Sequence, residues 1–470
     1  MTEVRAFLDA SESDVERDLL EWVRIPSISG DDEHRAALSR SAEYLAVLFR
    51  TAGFPRVETW QQGDGLAVFA EWPADPAAPT VLVYSHHDVR TPEGEEWTEC
   101  EPFLPVVRDG VMFGRGASDA KGQVLTHLWA VRAHVGAGER TAPDVNLKFL
   151  VEAEEELGSP HLRELLDEHR GDLECDLVVF SDTMLVDPEH PAVCMSIRGM
   201  IGATLTVEGP ERDVHSGAVS GPSPNPILDL TSLLARLHDE RGRVTLPGFY
   251  DPVTTPEAAE RREYAALPID DPSTWLDQSR TSRLTGEDGF TIPELLWARP
   301  ALEVITIQGG DIGQLPRAVI PATATAELSI RLVVGQSPNE VGEQLRRWLE
   351  REASDLRWDL SLSEVTAQPP YRTPDVPEVQ LLADAMAEGF GRDSVGRMGN
   401  AGGGPAQLLA DSLQAPVVFF GTGLVTDRWH AADERARLDV LKKGAATLAV
   451  FWTRLGRDHR RRPASGRGTT

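Results

Sequence analysis

The chain has 470 residues, 41% of them hydrophobic and 26% charged, with a formal net charge of −29. That length exceeds one ordinary domain, the negative charge repels nucleic-acid phosphates, and no run of about 18 apolar residues offers a membrane span. The opening MTEVRAFLDASESDVE lacks the basic region and apolar core of a secretory signal, and Cys100, Cys175 and Cys194 form no CxxC pair, which suits a reducing cytoplasm.

In chain order, Val15, Leu19, Trp22 and Val23 share one helical face, so a helix is predicted over Ser13–Ile25, ended by Pro26. A second is predicted from Glu33 to Ala52, with Gly53 as its C-terminal cap. Short apolar runs follow at Leu66–Trp72, Thr80–Tyr84, Asn146–Val151, Asp176–Phe180 and Pro416–Phe420. Helical spacing falls between them, after Asp119 and around His161–His169. Strands alternating with helices imply an α/β domain, a mostly parallel sheet with helices on both faces.

From Gly199 the texture changes. Met200–Glu208, Leu302–Gln308 and Ala322–Val333 read as strands, the first and last with one wet face. Pro224–His238 and Ser337–Glu352 read as helices, while residues 240–300 are rich in Pro, Asp and Glu and carry little periodicity. This predicts an inserted α+β unit over 199–372, between catalytic segments 1–198 and 373–456. Helices near Pro377–Phe390 and Ala432–Leu455 would complete the first domain, and the basic tail 457–470 reads as disordered.

Residues 112–122, MFGRGASDAKG, place Asp119 at a loop-to-helix junction, where it reads equally well as a helix cap. Its surroundings decide. Four predicted parallel strands end in potential metal ligands: VLVYSHHDV, NLKFLVEAEEELGS, DLVVFSD, and VVFFGTGL with His430 beyond it. In open α/β sheets ligands bind at the carboxyl ends of the strands. Alternation puts His86 and Asp88 on one face and His87 on the other, so Asp88 is the carboxylate that orients the His86 imidazole. His87 reads as a packed or surface histidine.

The motifs HHDV (86–89), GRGASDAKG (114–122), EEELGS (154–159), FSDT (180–183), DVHSG (213–217) and GTGL with His430 resemble, in order and spacing, the zinc-dependent M20 peptidases. The likeness is to the dipeptidase branch that includes carnosinase-like enzymes, and it runs from about residue 12 to 455. It implies two divalent ions bridged by Asp119, with His86 and Asp182 completing one site and Glu156 and His430 the other. Imidazole and carboxylate without thiolate suit Zn²⁺ and also admit Mn²⁺ or Co²⁺. It further implies Glu155 as general base, Glu154 as solvated or structural, His215 as donor to the developing oxyanion, and Arg331 as the clamp for a terminal carboxylate. It departs from the pattern at AGGGPAQ (401–407), where Gly404 stands in place of a serine, and at Ala120, where the family often has a second aspartate.

The resulting expectation is a metal-dependent hydrolase of dipeptides or short peptides with a free C-terminal carboxylate. Beside it stand an amidohydrolase removing an acyl or carbamoyl group from an amino acid, and a catalytically silent binding protein on the same fold. The expected partners are a small-molecule substrate and a second copy, through the inserted domain, with His215 serving the neighbouring site. Neither nucleic acid nor membrane is expected.

Overall fold

Thr80–His86, Asn146–Glu152, Leu177–Phe180 and Val417–Phe419 are apolar almost throughout, as strands must be when both faces of a sheet are covered. The computed structural model describes all residues except 93, 95, 139, 312–316 and 462–470. In it these four strands are parallel neighbours in a six-stranded sheet. A hairpin of Arg56–Gln62 and Gly65–Trp72 extends it antiparallel at one edge. The outer strand of that hairpin escapes sequence reading because RVETWQQ buries only Trp60 and Gln62.

Side chains along Thr80–His86 feed two cores. Val81 and Val83 pack with the helices Arg35–Thr51, Lys121–Ala137 and Leu438–Arg461, and Leu82 and Tyr84 with Leu162–Glu168 and Ala406–Leu413. The α/β expectation therefore holds. Two helix boundaries move. Residues 432–437 are not helical, because Arg435–Arg437 pairs with Val111–Phe113 as a short strand. The last helix starts at Leu438 and continues to Arg461, past the predicted start of the tail; the rest of that tail, 462–470, lies outside the described residues.

The inserted unit is an antiparallel sheet in the order Ala301–Gly309, Thr323–Leu332, Gly199–Glu208, Arg357–Leu362. Ile201, Ala203, Leu205 and Val207 bury one face against the helices Pro226–Ala235 and Pro338–Glu352, and intervening residues stay partly wet. The aperiodic stretch 240–300 does form helices, Ala258–Ala265, Pro272–Gln278 and Ile292–Trp297. Tyr264, Leu267, Ile292 and Trp297 pack into the core beneath the large sheet, not onto the inserted one. Short helices that bury one or two large side chains each leave little period to read. Among the described residues, no helix is long and apolar enough to cross a membrane.

Candidate metal centre

The carboxyl ends of the parallel strands and the loops beyond them supply the site. His86 is the last residue of its strand, and Asp182 follows the end of the adjacent one. The loop 114–120 brings in Asp119, whose helix begins only at Lys121. The helix carries no side-chain cap, so the capping role open to Asp119 from sequence is not the one it takes. The Asp119–Ala120 peptide is cis. Two small strand pairs close the ring. Met184–Leu185 runs beside Gly423–Leu424, and Val111–Phe113 beside Arg435–Arg437, so the loops of Asp182 and Asp119 both meet the segment carrying His430.

Two groups of ligand-type atoms result, each within 4.8 Å: His86, Asp119 and Asp182, and Asp119, Glu156 and His430. His86 Nε2 lies 3.3 Å from Asp119 Oδ1 and 3.7 Å from Asp182 Oδ1. His430 Nε2 lies 3.0 Å from Asp119 Oδ2 and 3.2 Å from Glu156 Oε2. Despite this closeness, His86 Nε2, Asp119 Oδ2 and Asp182 Oδ1 are buried without a hydrogen-bond partner. Buried polar atoms are rarely left so, and atoms that converge without bonding one another fit divalent ions between them.

The charges agree with the geometry. Burial alone would push the His86 imidazole down, yet Asp119, Asp182 and Asp88 hold it well above the usual histidine range. Burial likewise opposes protonation of His430, but Asp119 and Glu156 raise it to about 10. Burial raises Glu156 and Asp182, with like charge from Asp119 adding to both. This is a concentration of carboxylate that calls for cations.

Asp88 stands behind His86, fully buried. Its Oδ1 is 3.2 Å from His86 Nδ1, leaving Nε2 to face the cluster. The same carboxylate accepts from Ser29 Oγ at 2.7 Å and from the backbone N–H groups of Glu155 and Glu156 at 3.2 and 3.1 Å. One aspartate thus orients both a histidine and the glutamate loop. The three glutamates diverge from there. Glu154 is 5% exposed and bonds His161 Nδ1 at 2.8 Å, which removes the solvated alternative and leaves a structural one. Glu156 joins His430. Glu155 lies between them, its carboxyl pushed well above the ordinary range by burial and by Asp182, Glu156 and Asp88, against the pull of His86. His87 is buried, with Nε2 on the Leu66 carbonyl at 2.8 Å.

Arg331 and Gly404 lie outside the two ligand groups, Arg331 beside Gly403. Arg331 is partly buried, which lowers its pKa, and no ion pair reaches it among the described residues. A Cβ built on Gly403 would lie 3.9 Å from its Nη1. A Cβ on Gly404 would stand 2.7 Å from Phe180 Cζ, so a serine there requires the ring to move. A cleft of about 400 Å³ passes Gly158, Ser159, Gln368, Gly404 and Gln407. His215 is not part of either cluster. It is exposed on the short Val214–His215 strand of the inserted unit, opposite Val319.

Sequence reasoning missed two cations here. Arg198, directly before the strand Gly199–Glu208, is lowered to about 9 by burial and by Arg331, and donates from Nε to the Ala401 carbonyl at 3.0 Å. Arg90 places Nε 3.1 Å from Glu156 Oε2. Its position directly after HHDV was the available signal.

The fold and this centre ring the end of a parallel sheet with carboxylate and imidazole groups able to hold metal ions. The sequence pattern of peptidase family M20/M25/M40 matches residues 82–454, and the chain belongs to that family. It is 29% identical over 472 residues to the Beta-Ala-His dipeptidase of Rattus norvegicus, covering 96% of this chain and 95% of the relative. It is also 29% identical over 441 residues to the cysteinylglycine-S-conjugate dipeptidase of Corynebacterium striatum, covering 90% and 92%. The crystal structure of human carnosine dipeptidase 1 superposes with a TM-score of 0.82 at 28% identity, over 97% of this chain and 98% of that one.

Proposed function

We propose that the protein is a two-metal dipeptidase acting on substrates with a free C-terminal carboxylate. The observation that carries this is the pair of ligand groups sharing Asp119, with Glu155 beside them. His86, Asp119 and Asp182 would hold one ion and Asp119, Glu156 and His430 the other. Zn²⁺ is the favoured metal for this donor set, and Mn²⁺ and Co²⁺ are compatible. Two such ions, when bound, polarise the scissile carbonyl and acidify a water.

The residues of the chain do the rest. Glu155 takes a proton from the attacking water and passes it to the leaving amine; a base raised by burial is suited to both transfers. Asp88 keeps the His86 ring turned so that Nε2 faces the ligands. Arg331, a partly buried guanidinium with no ion pair among the described residues, receives the substrate's terminal carboxylate, and Gly404 lines the neighbouring wall. His215 donates to the carbonyl oxygen as charge develops on it.

His215 does this in trans within a homodimer formed through the inserted unit. Two features support the dimer: His215 is outside the clusters, and the edge strand Ala301–Gly309 exposes Val304, Ile305 and Ile307. The domain division 1–198, 199–372 and 373–456 and a cytoplasmic location belong to the same proposal.

A hydrolysis screen of the Zn²⁺-reconstituted protein tests it. Dipeptides should be cleaved and chelation should stop them. Preference for N-acyl or N-carbamoyl amino acids would move the protein to the amidohydrolase reading, and metal binding without any turnover to the silent-binder reading. Arg331→Ala should impair free-carboxylate substrates roughly ten- to hundredfold and spare their amides. For the dimer, inactive Glu155→Ala and His215→Ala proteins are mixed under subunit exchange. Action in trans restores roughly a quarter of wild-type activity, and action in cis restores none.

A further inference from the structure

The side chain of Asp119 points at the ligand cluster, but its backbone is held from behind by a residue no motif includes. Glu434, fully buried, accepts from Gly116 N at 3.1 Å and from Ser118 N and Asp119 N at 3.0 Å each. Arg115 Nη1 neutralises the same carboxylate at 2.9 Å. The Glu434 carbonyl takes Gly114 N at 2.9 Å. Four of the six backbone N–H groups of residues 114–119 thus end on one residue, and that residue lies in the segment that also carries His430.

A second clamp lies on the other side of His430. Asp427, 2% exposed, accepts from Ser118 Oγ at 2.7 Å and from Leu424 N at 2.9 Å. Trp429 Nε1 donates to that same Ser118 oxygen at 2.8 Å. The strand pairing of Val111–Phe113 with Arg435–Arg437 continues the join outward. The 114–119 loop and the 427–434 segment are therefore fastened along their length. Asp119 and His430 are the pair whose side chains converge across this join, with His430 Nε2 3.0 Å from Asp119 Oδ2. His86 and Asp182 owe nothing to it, since they sit at the ends of two adjacent strands.

We propose that Glu434 is a positioning residue that fixes the Asp119–His430 separation, and through it the affinity of the ion held by Asp119, Glu156 and His430, more than that of the ion held by His86 and Asp182. A carboxyl group is the appropriate one. It offers two oxygens to three backbone donors and a guanidinium, whereas a glutamine turns an N–H₂ toward donors already there. The inference rests on the two-ion reading of the centre.

The test is a Co²⁺ titration of metal-free wild-type and Glu434→Gln proteins, followed by absorbance and by equilibrium dialysis, with thermal unfolding of both metal-free proteins alongside. Wild type should take up two ions; one ion or none would refute the two-ion reading itself. Given two, Glu434→Gln should weaken one ion roughly 10–100-fold, the usual range for a residue that supports a metal ligand. The other should change at least tenfold less, and excess Co²⁺ should restore the second equivalent. A lower melting temperature with both affinities unchanged, or equal loss at both sites, overturns the proposal. Where Glu434→Gln does not unfold cooperatively, Asp427→Asn carries the test, because it loosens the same join from the opposite side of His430. The same selective weakening supports the clamp, and unchanged affinities overturn it.

Discussion

The two halves of the candidate metal centre are built differently. On one side His86 is fully buried and Asp182 nearly so, at the ends of adjacent parallel strands whose register is set by backbone hydrogen bonds. On the other, the His430 side chain is 52% exposed, its backbone is left-handed at φ 61°, and no regular element carries it. The first half inherits its geometry from the sheet. The second depends on buried carboxylates, Glu434 and Asp427, that tie one loop to another. A parallel sheet can supply some ligands of a polynuclear site without added cost, but a shared ligand such as Asp119 must then be brought to it by tertiary hydrogen bonds. Asp119 is where the two methods meet.

The largest effect should come from that meeting point. Asp119→Ala should lose both ions and all hydrolysis, measured by metal analysis of the dialysed protein. His86→Ala and His430→Ala separate the halves. Removing His86 leaves Asp182 without its buried cationic partner and should destabilise the metal-free protein by about 3 kcal/mol, whereas removing the half-exposed His430, where solvent can enter to reach Asp119 and Glu156, should cost less, about 1 kcal/mol. Equal destabilisation by the two would erase the distinction between a buried half and an open one.

Next in size is the catalytic loop between the halves. Glu155→Gln should keep both ions and lose about 10²–10⁴-fold in kcat, the range for a general base. Its neighbour behaves otherwise. Glu154 is buried on His161, so Glu154→Gln should lower stability by about 1–3 kcal/mol while leaving kcat within a few-fold. Denaturant unfolding beside steady-state kinetics reads both. If Glu154→Gln alone abolished turnover, the order of the three glutamates would have to be revised.

This contrast also marks how far the sequence could be read. The strand-borne half was legible, because a run such as VLVYSHH shows both an element doubly buried and the point where it ends. The α/β layering and the inserted antiparallel sheet were legible for the same reason: periods of 2 and 3.6 are local. The solvated alternative for Glu154 survived because burial of a loop residue depends on what folds over it, here Gly63, where a Cβ would meet the Glu154 carboxylate at 1.9 Å. Arg198 carries no pattern at all, and Arg90 only its place directly after HHDV. Glu434 and Asp427 were invisible because their partners are more than 300 residues away. Helices 258–297 were missed because each buries too few side chains to show a period.

The expected effect confined to the narrowest range of conditions concerns the sheet beneath the glutamate loop. Glu152, the last residue of its strand, is fully buried and accepts from Gln62 Nε2 and Ser159 Oγ at 2.8 Å each and from the Tyr84 hydroxyl. Burial raises its carboxyl from the ordinary 4.5 to about 7, against the pull of those three donors. An acid with a raised folded pKa binds its proton more tightly when native. Its contribution is therefore whole below 4.5 and is lost as pH rises through about 7. Glu152→Gln keeps the shape and cannot ionise, so its stability lacks this slope. In metal-free protein, where ligand binding adds no pH dependence of its own, wild type should lose stability relative to Glu152→Gln between about pH 5 and pH 8. The loss should be on the order of 2 kcal/mol, read from urea midpoints at matched ionic strength. A flat difference across that window would mean that Tyr84, Gln62 and Ser159 keep Glu152 ionised throughout. The strand-borne half of the site would then rest on a buried charge.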